Sequence, residues 1–254
     1  TGNMSGLLLA EYRLSRKREL GLLPEDPACA AIVSTIVSSD MVFPLAREYG
    51  VSVIRTLTGF KYIGEQIRLF EEARAKNGGR PDAGKGAYEY EFGFEESYGY
   101  LSGPHVRDKD AVNAVLLICE AAAWYAKKGM TLGDAIDALY AEFGCFCNAQ
   151  KSFTFVGETG MEKMASLMSG LRTHPLQSVA GLPVEGFTDY EQDGTGLPKA
   201  NVLEYRLPGG AKLIIRPSGT EPKIKAYLSA VKPTVEEATR QLDSLAAAAA
   251  ELLA

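Results

Sequence analysis

A polar bend separates two apolar runs near the end of the chain, within the stretch AKLIIRPSGTEPKIKAYLSA at residues 211–230. The bend carries one guanidinium and two hydroxyl side chains, those of Arg216, Ser218 and Thr220. Backbone N–H groups in such a bend form a nest for an anion, and a guanidinium matches phosphate oxygens with a planar fork. Lys223 and Lys225 project from one face of the following strand, because side chains alternate along a strand. This pattern indicates a phosphate site, whereas a solvated hairpin tip is the plainer alternative.

Two more polar segments, residues 58–61 and 95–97, each follow a run that predicts a strand. The first reads TGFK after VSVIRT, and the second reads EES after AYEYEFGF. The carboxyl ends of parallel strands meet at the edge of the sheet where ligands bind. We therefore expect both segments to face one cleft.

The order of the predicted elements divides the chain into an α/β domain at residues 1–147 and a smaller α+β domain at residues 148–254. In the first domain, three apolar strands alternate with helices, which favours a mixed or parallel sheet flanked by helices. Ser39 and Asp40 are expected to cap the helix after the first strand, and residues 95–110 are expected to form a loop.

The second domain is predicted to hold an antiparallel sheet with helices. Residues 201–216 indicate a hairpin that turns at LPGG, and the strand KIKAYLSA follows the polar bend. An amphipathic helix is predicted at residues 158–172 and a closing helix at residues 234–254, capped by Thr234.

The composition is that of a soluble globular protein, with 46% apolar and 23% charged residues. The formal net charge of -5 argues against a general nucleic-acid binder and against a binder of anionic membranes, since both need an excess of Lys and Arg. The 4 cysteines lack the spacing of a zinc site, and no run is long and apolar enough to span a membrane. We expect a cytoplasmic protein with reduced thiols. The chain opens on Thr1 inside a predicted helix, which indicates a piece of a longer protein.

Four segments together resemble the α-D-phosphohexomutases, the family of phosphoglucomutase and phosphomannomutase enzymes. RPSGTEPKIKAYL resembles the phosphate-binding loop of their last domain, and FEESYGYL resembles their sugar-recognition loop. TLTGFKYIGEQI and HVRDKDAV resemble two further segments of their third domain, in the same order and spacing. The resemblance covers essentially the whole chain, and it implies the third and fourth domains, the C-terminal half, of a four-domain enzyme.

The resemblance implies a role for each matching residue. The sugar-binding positions are Gly59, Lys61, Glu95, Ser97 and Lys109. The phosphate-binding positions are Arg216, Ser218, Gly219, Thr220 and Lys225. A carboxylate suits the sugar because it accepts hydrogen bonds from two neighbouring hydroxyls, and we expect Glu95 rather than Glu96 to face it. Lys61 is alternatively a solvated residue at the start of a helix.

Two loops of the family do not occur in this sequence: the phosphoserine loop, which resembles T-A-S-H-N-P, and the magnesium loop, which resembles D-G-D-x-D-R. We therefore expect no catalytic residue and no metal ligand in this chain, and no turnover by the chain alone. The resemblance implies that the full-length parent uses Mg2+ and an activator of the glucose 1,6-bisphosphate type. It also implies two partners, a small phosphosugar and the missing N-terminal domains.

The implied parent is an isomerase of carbohydrate metabolism that acts as an intramolecular phosphotransferase. Its phosphoserine phosphorylates a hexose phosphate, the bisphosphate reorients in the cleft, and the other phosphate returns to the serine. Hexose 1-phosphate and hexose 6-phosphate are thereby interconverted, with glucose as the expected sugar. A phosphomannomutase or phosphopentomutase parent stays open as an alternative, and so does a non-catalytic module that binds phosphosugars.

Overall fold

A computed structural model describes residues 1–157 and 159–253. The chain forms two compact units, Thr1–Phe143 and Gly144–Ala254. The first is an α/β unit with a mixed sheet and the second is an α+β unit with an antiparallel sheet, so the predicted fold class is confirmed. Within the described ranges, no helix has both the length and the apolar character needed to cross a membrane.

The division between the units lies between Phe143 and Gly144, whereas the sequence pattern places it between residues 147 and 148. The strand that begins at Cys145 explains this difference. It belongs to the second sheet from its first residue, where Cys145 pairs with Lys232.

The first unit contains, in chain order, α1 (Gly2–Glu19), β1 (Ala30–Thr35), α2 (Val42–Glu48), β2 (Ser52–Thr56), α3 (Phe60–Lys76), β3 (Glu89–Phe94), β4 (Tyr100–Ser102), α4 (Ala111–Lys127) and α5 (Leu132–Phe143). Its sheet has the order β2-β1-β3-β4. Strand β1 is parallel to both β2 and β3, and β4 is antiparallel to β3. The carboxyl ends of β1, β2 and β3 therefore lie on one edge of the sheet.

Strand β4 lies in the segment that the sequence predicted to be a loop, residues 95–110. That prediction is wrong at Tyr100–Ser102, which are buried and pair with β3. A strand of three residues is too short to show an alternating pattern, so the sequence alone gives no periodic signal for it.

Helix α2 begins at Val42 rather than after a cap formed by Ser39 and Asp40, so that prediction is wrong. Ser39 is fully buried, and Asp40 instead pairs with Arg55 at 3.1 Å. The later start keeps Pro44 in the first turn of the helix, where its missing N–H is not needed.

Helices cover both faces of the first sheet, as two adjacent residues of β3 demonstrate. Gly93 lies against Ile63 of α3, whereas Phe94 lies against Gly6 of α1. Successive strand residues point to opposite faces, so α1 and α3 cover opposite sides. The burial of β1 along its entire length follows from this arrangement.

Helix α1 is held to β3 by ion pairs around the fully buried Glu91. Lys17 Nζ lies 2.6 Å from Glu91 Oε1, and an Arg13 guanidinium nitrogen lies 3.3 Å from Glu91 Oε2. Burial raises the pKa of Glu91, while these two cations oppose that effect. The strand that leads to residues 95–97 is thereby fixed against the first helix.

The second unit contains, in chain order, β5 (Cys145–Thr154), α6 (Gly160–Thr173), β6 (Ser178–Val179), β7 (Leu182–Pro183), β8 (Gly186–Asp189), β9 (Leu203–Arg206), β10 (Lys212–Pro217), β11 (Lys223–Lys232) and α7 (Val235–Leu253). Its main sheet is antiparallel in the order β5-β11-β10-β9-β8, and β6 and β7 form a separate pair. The polar bend connects β10 to β11.

The local predictions for the second unit largely hold. Strands β9 and β10 form the predicted hairpin. Thr234 caps α7, because its Oγ1 accepts a hydrogen bond from the Glu237 N–H at 3.2 Å. The first residue of the predicted helix at 158–172, Glu158, and the last residue of the chain, Ala254, lie outside the described residues.

Gly64 of α3 is the point where the backbone of the HVRDKDAV segment approaches this helix. A Cβ at this position would overlap the carbonyl oxygen of Arg107. We expect Gly64→Ala to destabilise the first unit by about 1 to 3 kcal/mol, since neither backbone can move freely. Urea unfolding followed by Trp124 fluorescence measures this loss, because Trp124 is the one tryptophan of the sequence and lies in the first unit.

Gly170→Ala is the matched control for that measurement. Gly170 lies in α6 of the second unit, and a Cβ there would meet no atom within 4 Å. The Trp124 transition should therefore stay unchanged in this variant. An unchanged transition in Gly64→Ala as well would contradict the close approach at Arg107.

Candidate functional site

The loop after β2 brings Gly59 to the carboxyl edge of the first sheet, directly before α3. Gly59 has a φ of 121°, in the region that residues with a Cβ rarely adopt. Its N–H donates a hydrogen bond to Glu95 Oε1 at 2.8 Å. The loops that follow β2 and β3 are thus joined by one charge-assisted hydrogen bond.

Glu95 follows β3 immediately and is 7% exposed. Its second carboxylate oxygen lies beside Gly99, because a Cβ added to Gly99 would be 3.0 Å from Glu95 Oε2 and 3.4 Å from Lys109 Cδ. The same Cβ would be 3.1 Å from a ring carbon of Phe60. The structure therefore brings Gly59, Glu95 and Lys109 together around Phe60 and Gly99.

Lys109 reaches this group from the loop before α4. Its Nζ lies 5.7 Å from the centroid of the Phe60 ring and 3.0 Å from Asp108 Oδ1. The hydrogen bonds from the Lys109 side chain and backbone lower the pKa of Asp108. Both partners are largely exposed, so this ion pair contributes little free energy and leaves Lys109 able to change partner.

Lys61 and Ser97 are exposed at the same edge of the sheet. Lys61 Nζ lies 4.7 Å from the ring centroid of Tyr62, its neighbour in sequence. Ser97 precedes Tyr98, whose φ of 65° marks a sharp turn in the loop. In the part of the chain that the structure describes, no hydrogen bond or ion pair joins Lys61 or Ser97 to Glu95.

The polar bend of the second unit is closed by Ser218. The Ser218 N–H donates to the Lys223 carbonyl at 2.7 Å. Ser218 Oγ accepts from the Thr220 N–H at 3.3 Å and from the Glu221 N–H at 3.2 Å. Two backbone donors therefore converge on one hydroxyl, while Gly219 and Thr220 remain exposed.

Arg216 and Lys225 occupy directly opposite positions on β10 and β11. Such a pair lies on one face of the sheet with Cβ atoms about 4.5 to 5.5 Å apart. Among residues 1–157 and 159–253, no carboxylate pairs with either cation, whereas Lys223 pairs with Glu221 at 3.0 Å. Within the described ranges, the bend thus carries two adjacent positive charges without a carboxylate partner.

Strand β5 adds two hydroxyls that the sequence did not suggest. Ser152 pairs with Lys225, and Thr154 pairs with Lys223. Directly paired residues share a face, so a row of Arg216, Lys225 and Ser152 crosses three strands. No local signal could have found this row, since it depends on which distant strand pairs with β11.

The side chains that could bind a metal ion were compared with the needs of Mg2+. The described residues contain no group of three or more His, Cys, Asp or Glu side chains placed to hold a metal ion. Mg2+ binds through oxygen ligands, and the described residues bring together no such cluster for the magnesium that the resemblance implies for the parent.

The sequence of the first unit decides the family. Residues 1–143 match the family model described as phosphoglucomutase/phosphomannomutase, alpha/beta/alpha domain III. The chain belongs to the phosphoglucomutase/phosphomannomutase family. The resemblance inferred from the four segments is therefore confirmed.

Curated relatives extend the match to the second unit. It is 34% identical over 255 residues to the phosphoglucomutase of Staphylococcus aureus strain bovine RF122 / ET3-1, and 33% identical over 255 residues to that of strain USA300. Each alignment covers 96% of this chain and 42% of the relative. The chain therefore spans less than half of the length of these relatives.

Solved structures show the same fold. The open form of the exocytosis-sensitive phosphoprotein pp63/parafusin, a phosphoglucomutase from Paramecium, aligns with a TM-score of 0.64 at 18% identity, over 99% of this chain and 40% of that chain. A phosphoglucomutase/phosphomannomutase family protein from Burkholderia thailandensis aligns with a TM-score of 0.58 at 14% identity, over 98% of this chain and 41% of that chain.

The bond between Gly59 and Glu95 gives a direct test of the site geometry. We expect Glu95→Ala to accelerate hydrogen exchange of the Gly59 amide by about tenfold or more, because a hydrogen bond to a charged acceptor is lost. Glu95→Gln should retain most of the protection, since the amide oxygen still accepts. Exchange is measured by NMR, with the Phe70 amide inside α3 as the reference. Equal Gly59 rates in Glu95→Ala and the unchanged protein would contradict the contact.

Proposed function

We propose that this chain is the part of a phosphohexomutase that binds the sugar and holds the phosphate that is not being transferred. The carrying observation is the pair of opposed cations, Arg216 and Lys225, without a carboxylate partner among the described residues. A phosphate dianion offers oxygens to both, and an Arg fork binds two of them at once.

The bend supplies the remaining phosphate contacts in this proposal. Thr220 and Gly219 are exposed at its tip, and Ser218 fixes its shape. The Thr220 and Glu221 N–H groups converge on Ser218 Oγ, so an anion receives them when this hydroxyl turns away. Arg216, Ser218, Gly219, Thr220 and Lys225 together form the phosphate site that we propose.

The first unit supplies the sugar contacts. Glu95 keeps one carboxylate oxygen on Gly59, and its other oxygen lies beside Lys109 and Gly99. A carboxylate held in this way accepts hydrogen bonds from sugar hydroxyls, and Lys109 can donate to a hydroxyl or a phosphate. Lys61 and Ser97, exposed at the same edge, complete the proposed sugar site.

The proposed parent converts a hexose 1-phosphate to a hexose 6-phosphate through a phosphoserine and a bisphosphate intermediate, with glucose as the sugar. Such a reaction requires that the sugar bind in two opposed orientations. A site made of two cations and a bend does not distinguish between phosphates on different carbons. This chain would therefore hold either end of the bisphosphate while chemistry proceeds at the other end.

Binding experiments with two ligands test both halves of the proposal. We expect Arg216→Ala to weaken the binding of inorganic phosphate and of glucose 6-phosphate, at a cost of about 1.5 to 3 kcal/mol for one charge-assisted contact. Glu95→Gln should weaken only glucose 6-phosphate, because inorganic phosphate has no sugar hydroxyls. Isothermal titration calorimetry on the purified chain measures each dissociation constant.

Arg240→Ala is the control for lost positive charge. Arg240 lies on α7 and is exposed beside Glu236, so its removal should leave both affinities unchanged. Equal losses in Arg240→Ala and Arg216→Ala would show a general charge effect rather than a site. Unchanged affinity in Arg216→Ala would remove the phosphate assignment.

Turnover gives an independent prediction. We expect no interconversion of glucose 1-phosphate and glucose 6-phosphate by this chain at any Mg2+ concentration, because the described residues form no metal site. A coupled assay with glucose 6-phosphate dehydrogenase measures the product. Activity that survives purification would show that the chain carries the catalytic groups itself. A longer gene product that binds glucose 6-phosphate without turnover would favour a non-catalytic phosphosugar module.

A further inference from the structure

Helix α4 exposes an apolar surface. Val112 is 81% exposed, and Val115 and Leu116 are each 61% exposed. These positions follow the spacing of one helix face, so the three side chains lie side by side. The opposite face of α4 is also apolar and is buried. A helix that is apolar on its exposed side as well as its buried side is built to be covered on both.

The exposed apolar surface continues into the loop before α4. Val106 is 39% exposed, and it lines a shallow cavity of about 490 Å³ together with Val112. Lys109 lines the same cavity. The name α4 face is used below for Val106, Val112, Val115 and Leu116, and this surface borders the proposed sugar site at Lys109.

The first residues of the chain lie close to the start of α4. Tyr100 OH donates a hydrogen bond to the Gly2 carbonyl at 2.9 Å. The Tyr100 carbonyl accepts from the Asp110 N–H at 3.0 Å, and Asp110 caps α4. Gly2 and the first turn of α4 are therefore attached to the same residue. A polypeptide that precedes Thr1 would therefore start near Tyr100, the residue to which the N-cap of α4 is bonded.

We propose that the α4 face docks the polypeptide that precedes domain III in this family. The match of residues 1–143 to a model named domain III implies preceding domains, and the chain spans 42% of the curated relatives' length. This inference rests on the proposed function, since it supplies the missing half of a mutase. The inference adds the surface of this chain against which the preceding domains would pack, and this surface adjoins Lys109.

The size of the α4 face favours an attached partner over a second copy of the chain. Stable interfaces between separate proteins bury about 1,200 Å² or more, which three side chains on one helix and one in the preceding loop do not provide. A covalently linked partner has an effective concentration in the millimolar range, so a small apolar contact is sufficient. The docked polypeptide would then present its phosphate donor to the sugar held at Glu95 and Lys109.

Cys119 provides a reporter for this docking. It follows Val112 by seven positions, lies on the same exposed side of α4, and is exposed, whereas Cys29 and Cys145 are buried. We expect N-ethylmaleimide to label Cys119 rapidly in this chain. In the longer gene product that includes the residues encoded before Thr1, labelling should be at least tenfold slower. Peptide mass spectrometry assigns the labelled cysteine.

Leu116→Glu in the longer product tests the cause of the protection. In the longer product, we expect Leu116→Glu to make Cys119 labelling at least tenfold faster and to lower mutase turnover. The same substitution in the shorter chain should leave its affinity for glucose 6-phosphate unchanged. Leu69→Glu is the matched control, because Leu69 is a 40% exposed leucine on α3. This control should change neither labelling nor turnover.

Three results would overturn the proposal. The first is equal Cys119 labelling in the shorter and longer proteins. The second is a dimer of the shorter chain that Leu116→Glu converts to a monomer, which would assign the α4 face to a second copy. The third is a gene that encodes no domain before Thr1. Loss of glucose 6-phosphate binding in Arg216→Ala, measured separately, would still support the phosphate site in each of these cases.

Discussion

Arg216 and Lys225 are directly paired on two antiparallel strands, and like charges placed in this way repel each other. The proposed function depends on this repulsion. In an acidic protein, a nearby Asp or Glu could have removed it at little cost. The described residues instead place Glu221 on Lys223 and leave the other two cations to solvent. A phosphate bound between the two cations, as we propose, would lower the free energy of this arrangement.

The first unit presents a carboxylate beside a lysine, whereas the second unit presents two cations. In the first unit, Glu95 is fixed by the Gly59 N–H and is buried, so its direction is set before any ligand arrives. Lys109 pairs with the exposed Asp108 and lies over the Phe60 ring, so it can move at low cost. A rigid acceptor beside an adjustable donor suits a ligand that binds in two orientations. The cations of the second unit would need no such adjustment for the phosphate that we propose as their ligand, because phosphate is nearly symmetric.

The sequence predicted those features that depend on short-range patterns. Strands β1 to β3 and the long helices follow from apolar periodicity, and the bend follows from its Pro and Gly residues. The start of α2 was misplaced because Ser39 and Asp40 fit a cap locally, while burial and the Arg55 ion pair decided otherwise. The position of Ser152 beside Lys225 was not predicted, because it is set by pairing between strands that are distant in sequence. Long-range pairing leaves no mark on the sequence near the residues that it joins.

The long pairing of β5 with β11, from Cys145–Lys232 to Thr154–Lys223, has a further consequence for the charges of the bend. Side chains alternate along β11, so the fully buried Ile224 and Ala226 lie on the face opposite Lys223 and Lys225. A slip of one residue along the ladder would turn the lysines inward and the core residues outward. The hydrophobic effect therefore fixes the side of the sheet on which the cationic row lies. Moving these cations to the other side would expose the buried core residues to water.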